Sequence, residues 1–249
     1  MNDFGYFECL MENFKQVNET QGENIQKAAA LMCGAIANDR LISVYGGGGH
    51  TTFCMGEMFF RAGGLSCINP IMETGLSVFN QALKYLELER TVNYGSSIMK
   101  YYDLKKDDIL IIFHNIGINP ATIDAAMEAK KRDVKIIAVS SSAWQNEMPR
   151  DHFIRHPNKT NLFDYADVCI DDFNPVGDAV VTVPGLDTPI APVSNIIDFY
   201  IAHLLEIETV KQCMEKGITP PVWSSANTPG GDKKNAAYLE KYKPRIKML

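Results

Sequence analysis

The sequence has no run approaching the roughly 18 consecutive apolar residues that a membrane-spanning helix needs. Its opening, MNDFGYFECLMENF, lacks the basic head and apolar stretch of a secretory signal, so a cytoplasmic protein with no membrane partner is expected. It has no C-x-x-C pair. Cys9, Cys33, Cys54, Cys67, Cys169 and Cys213 are scattered and fall mostly in apolar runs, which argues for small buried hydrophobes and against disulfides or a zinc framework. Positive charge is in deficit, 24 Lys and Arg against 30 Asp and Glu for a net charge of -6, with no basic stripe beyond a short C-terminal mixture. Nucleic acid is therefore not an expected partner. What remains is an ordinary globular composition, 46% hydrophobic and 22% charged over 249 residues, without an internal repeat or a linker. A single domain over 1–249 follows.

Helical spacing over 3–17 and 22–38 predicts a leading helical hairpin within residues 1–38, turning near Asn18 to Gly22. The period then changes. Short apolar runs follow at 41–45, 67–71, 108–113, 135–140, 167–171 and 179–183, most of them rich in valine and isoleucine, with helical patterns such as 51–62 and 120–131 between them. Continuous apolar strands alternating with helices indicate a parallel sheet covered on both faces, an α/β three-layer αβα sandwich. A last long helix is expected from Ser194, with Ile196, Tyr200, Ile207, Val210 and Met214 on one stripe, ending at Gly217 before Pro220 and Pro221. Residues 218–249 form a C-terminal tail in which VWSSANTPGGDKKN reads as irregular.

In an open parallel sheet, ligands bind beyond the carboxyl ends of the strands. After the first strand comes YGGGGHTT (45–52), four glycines leading into a helix. Glycine lets backbone approach a ligand closely, and free amides at a helix start favour an anion such as phosphate. Gly46, Gly48 and Glu73 partly imitate a dinucleotide fingerprint, but Thr51 stands at the third glycine position and Glu73 lies 27 residues beyond Gly46. The fingerprint asks for about 20. No cofactor is expected. His152 and His156 are spaced to face one metal, yet no third ligand is evident and Pro157 opposes a long helix, so no metal is expected either.

The glycine loop followed by GEMFFRAGGL (56–65), HNIGINP (114–120), AVSSS (138–142) and PPVWSSANTPGGDKKN (220–235) resemble, in this order, a family of SIS (sugar isomerase) domain proteins. That family binds phosphosugars and is related to the phosphoheptose isomerases. The resemblance covers nearly the whole chain from about residue 20. It implies an αβα sandwich, a homodimer or homotetramer, and a phosphosugar ligand. The implied pocket takes Gly47, Gly48, His50 and Thr51 from the first loop, His114, Asn115, Gly117 and Asn119 from the second, and Ser140, Ser141 and Ser142 from the third. The second loop departs from the family's S-N-S-G pattern: His114 and Ile116 replace two hydroxyls.

Moving a carbonyl along a sugar requires one group to take a proton from carbon and a second to assist at oxygen. Glu57, four residues before Arg61, resembles the catalytic glutamate of phosphoheptose isomerases, and His203 in IAHLLE resembles their catalytic histidine. An aldose–ketose isomerase working through an enediol is the implied activity. A phosphosugar-binding or sensing protein without turnover is the alternative. NPVGDA (174–179) and SSANTPGGD (224–232) combine turn formers with donors, and either would complete the pocket of the same or a neighbouring subunit.

Overall fold

The valine- and isoleucine-rich runs form the sheet that their composition predicts, in a computed structural model that describes residues 4–249. β1 (Ile42–Gly46), β2 (Ile68–Pro70), β3 (Ile109–Phe113), β4 (Lys135–Ser140) and β5 (Val168–Asp171) pair in parallel in the order β2-β1-β3-β4-β5. Every residue of β1 and β3 is buried, as a sheet covered on both faces demands. Alternate side chains serve two cores. Ile109, Ile111, Phe113, Ile137 and Val139 pack with α2 (Gly22–Ala37), α3 (Thr52–Met58) and α8 (Ser194–Glu215). Leu110, Ile112, Ile136 and Ala138 pack with α5 (Tyr94–Tyr102) and α6 (Pro120–Lys131). The protein is thus the three-layer αβα sandwich expected. Strand order reverses between β1 and β3, and the loops leaving these two strands define the switch-point crevice.

α1 (Tyr6–Thr20) and α2 follow each other with only Gln21 between them; the part of the expected first helix that falls on Asp3 lies outside the described residues. α1 lies along α8, where the Phe14 and Tyr200 rings sit 4.6 Å apart. All six cysteines are free, and Cys33, Cys54, Cys67 and Cys213 are buried. Among the described residues no helix is long and apolar enough to cross a membrane.

Three expectations need correction. The run 179–183 does not join the sheet: β6 (Ala179–Val181) pairs antiparallel with β7 (Ile190–Pro192) in a separate ribbon, joined by the turn-rich segment VPGLDTP. The tail is not irregular throughout, since α9 (Gly231–Tyr242) carries AAYLEKY and anchors it through buried Tyr242. The face of α8 turned to the core is Ile197, Ile201, Ala202, Leu205 and Cys213, whereas Ile196, Ile207 and Met214 are exposed. That helix is apolar on two sides, so periodicity alone does not choose between them.

Candidate functional site

Gly46 pairs with Phe113 across the switch point, so the loops after β1 and β3 emerge side by side. The Gly47 amide donates to Phe113 O at 3.2 Å and the Gly49 amide to Leu76 O at 2.9 Å. The amides of Gly48, His50, Thr51 and Thr52 have no protein acceptor among the described residues. Thr51 Oγ1 and Thr52 Oγ1 donate at 2.7 Å to the carbonyls of Gly48 and Gly49 respectively, which curls the loop. Beside them lies a cavity of about 190 Å³, lined by Gly48, His50, Thr51, His114 and Asn115 together with Tyr85, Glu89, Trp144 and Asn174. No Lys or Arg lines it.

Among the side chains lining this cavity, His114 comes from the loop after β3 and Glu89 from a helix end. His114 is 2% exposed; its Nδ1 accepts the Gly117 amide at 2.9 Å, which leaves the ring proton on Nε2. Burial pushes its pKa down to about 4, so the ring is neutral. Glu89 ends α4 (Ala82–Glu89), is 6% exposed, and accepts a hydrogen bond from Asn119 Nδ2 through Oε1. Burial pushes the Glu89 carboxyl up to about 7, against the opposing pull of Arg90 and the Asn119 amide. A side chain at Gly48 would occupy the place of Glu89 Oε2, and one at Gly47 would run into Thr122 Oγ1 and the His114 ring. Glycine at both positions permits this close approach.

Of the other expected ligand residues only Asn115 lines the cavity, and Gly117, Asn119, Ser140, Ser141 and Ser142 do not. Asn115 Nδ2 bridges Asp172 Oδ2 and Asp198 Oδ2, each at 2.9 Å, and both aspartates are fully buried. Burial pushes Asp172 up to about 7, and burial together with the neighbouring Asp172 carboxylate drives Asp198 well above the usual range. Ser140 Oγ donates to His114 O at 2.7 Å, and Ser141 Oγ donates to Asn174 O at 2.6 Å while capping α7 (Ser142–Glu147). Both serines are buried and engaged within the fold. The amide of Ser142 donates to Asp171 Oδ1 at 3.1 Å.

Glu57 and His203 meet elsewhere. His203 Nε2 lies 3.0 Å from Glu57 Oε1, Arg61 Nε lies 2.8 Å from the same oxygen, and His203 Nδ1 lies 3.2 Å from Glu206 Oε2. Burial raises the Glu206 carboxyl above its usual range. This cluster opens on a groove formed by Gly63, His203, Glu206, Ile207 and Val222, not on the glycine-loop cavity. Ser194, on the cavity wall, precedes His203 by nine residues of α8, which is about 13 Å along the axis.

Residues 5–141 match the SIS domain family. This chain is a SIS-domain protein. It is 35% identical over 247 residues to the UPF0309 protein of Caldanaerobacter subterraneus subsp. tengcongensis, which covers 98% of each chain, and 34% identical over 248 residues to that of Thermoanaerobacter pseudethanolicus, again covering 98% of each. Its fold is similar to the solved phosphoheptose isomerases of Neisseria gonorrhoeae (TM-score 0.52, 14% identity, 85% of this chain and 96% of that one) and Francisella tularensis (TM-score 0.51, 18% identity, 83% and 95%).

The remaining motifs of this SIS-domain protein separate by position. NPVGDA reaches the cavity: Asn174 and Asp178 line it, and Asp178 also receives the Val193 and Ser194 amides at the head of α8. SSANTPGGD packs near Phe60 and Trp223, away from this chain's cavity. His156 pairs with Asp124 at 3.2 Å, while His152 stacks near Phe153, so the two histidines have different partners. Glu73 accepts from the Gly75 amide and from Tyr94 Oη. Glu89 is not among the sequence candidates; the fold of α4 brings its carboxylate against Gly48.

Proposed function

We propose that this protein binds a phosphosugar in the glycine-loop cavity and interconverts its aldose and ketose forms through an enediol. The observation that carries the reading is that Gly48, His50 and Thr51, whose amides have no acceptor among the described residues, line one cavity at the switch point. Oriented amides neutralise an anion where no cationic side chain is at hand. The two similar solved structures are phosphoheptose isomerases, which supports this ligand class. Glu57 and His203 are hydrogen-bonded as a proton-transfer pair would be, but they stand outside the cavity of their own chain. They enter the reaction on one condition, that a second copy in a homodimer or homotetramer brings its cavity to their groove.

Binding without turnover is the second reading. The hydroxyls of Ser140 and Ser141, spent on internal carbonyls, favour it. Thermal stabilisation by glucose 6-phosphate, fructose 6-phosphate and ribose 5-phosphate, beside the unphosphorylated sugars, tests binding; NMR of carbon-bound protons in deuterated water tests turnover. Stabilisation specific to the phosphorylated sugars with exchange supports the isomerase. Stabilisation without exchange supports the second reading, and no stabilisation by any sugar phosphate sinks both.

A further inference from the structure

We propose that Glu89 and His114 are the proton-transfer pair of the glycine-loop cavity, the Glu89 carboxylate acting on carbon and the His114 Nε2–H on oxygen. The inference rests on the proposed isomerase reading and names residues within a single chain for it. Three features of geometry carry it. Both side chains line the same cavity and both are more than nine-tenths buried, yet Glu89 Oε2 and His114 Nε2 have no hydrogen-bond partner among the described residues. Each is held by its other polar atom, Glu89 Oε1 by Asn119 Nδ2 and His114 Nδ1 by the Gly117 amide. The two unpartnered atoms also converge on consecutive residues. The Glu89 carboxylate occupies the space a side chain at Gly48 would need, and the His114 ring carbon Cδ2, bonded to Nε2, lies 2.7 Å from where a Cβ at Gly47 would stand. The amides without a protein acceptor among the described residues begin on the same loop.

A sugar with its phosphate on those amides places its first two carbons between the carboxylate and the imidazole. Glu89 takes the proton from the carbon next to the carbonyl; the electron pair of that C–H bond becomes the C=C bond of a cis-enediolate, and the carbonyl oxygen gains negative charge. His114 Nε2–H donates a hydrogen bond to that oxygen, as a neutral imidazole can without itself ionising. The hydroxyl proton then passes between the two cis oxygens, and Glu89 returns its proton to the other carbon. Atoms and electrons balance with no co-reactant. A carboxyl raised by burial to about 7 is near the operating pH, where a base is both unprotonated and strong enough to act.

The test uses the full chain and the same three sugar phosphates. Glu89→Gln keeps an acceptor for Asn119, and His114→Asn keeps one for the Gly117 amide, so both are expected to fold. The expected result is sugar-phosphate stabilisation equal to the parent's, with solvent exchange reduced about 100-fold or more in each variant. Exchange retained in Glu89→Gln and lost in Glu57→Gln overturns the inference and leaves the isomerase reading standing. A parent that is stabilised but does not exchange overturns the isomerase reading itself, and this pair with it. Should Glu89→Gln not fold, Glu89→Asp withdraws the carboxylate by one methylene, and undiminished exchange in that variant equally overturns the proposal.

Discussion

Beneath the cavity, one amide group serves two acids. Asn115 supplies both protons of its Nδ2 to Asp172 and Asp198, yet Asp198 Oδ1 is buried with no partner among the described residues. Two carboxylates so close and so dry do not both ionise at neutral pH. Their raised folded-state pKa values mean that the folded protein holds protons which the unfolded chain has released. The pair's favourable contribution is therefore complete below the ordinary aspartate range and declines as pH rises above it, with the share of Asp172 gone above about 7. Asp198→Asn removes the acid while keeping a carbonyl for Asn115. Its thermal midpoint should exceed the parent's by a few degrees at pH 8 and converge on it toward pH 4, as measured by calorimetry. Equal midpoints at pH 8 would show that the pair carries no such penalty.

Among the elements, α8 joins several parts of the molecule: its head lies beside the cavity, its middle carries His203, and one side is fixed in the core. Ile201 is fully buried there among sheet and helix residues. Ile201→Ala should cost about 2–5 kcal/mol in urea unfolding, whereas a change at half-exposed Ile207 on the opposite side should leave monomer stability nearly unaltered. How much of such an element is legible beforehand depends on what fixes it. β1 to β5 were readable because a run such as ILIIF suits only a strand buried on both faces. The loops at the strand ends were readable in the same way, but which two flank the switch point is known only from the strand order. The core side of α8 was not readable, since both sides are apolar, and β6 resembled a core strand until its ribbon partner was seen. Glu89 and the mutual pairing of Glu57 with His203 depend on tertiary approach over 30 residues or more. No local spacing encodes that.

For the whole molecule, the side left uncovered is as informative as the core. Phe7 and Met11 of α1 are exposed and, with Phe14 and Tyr200, line a broad apolar groove of about 670 Å³. Exposed apolar patches of this kind mark contact surfaces. The proposed homo-oligomer should therefore show in light scattering as a multiple of the 27.8 kDa chain, and Phe7→Glu should lower that multiple without lowering helix content by circular dichroism. A parent that runs at the single-chain mass would leave α1 without that role, and would also leave Glu57 and His203 with no second cavity to face.

The absence of Lys and Arg from the cavity wall, within a chain of net charge -6, bears on how fast a ligand arrives. Long-range steering comes from net charge, and backbone amides act only at close range. An approaching dianion is repelled at a distance and captured only on contact. Its association rate should consequently rise as added salt shortens the Debye length toward ~8 Å, measured by stopped-flow mixing. A fall in rate with salt, the usual behaviour of a cationic binding site, would show that some basic group outside the wall draws the anion in.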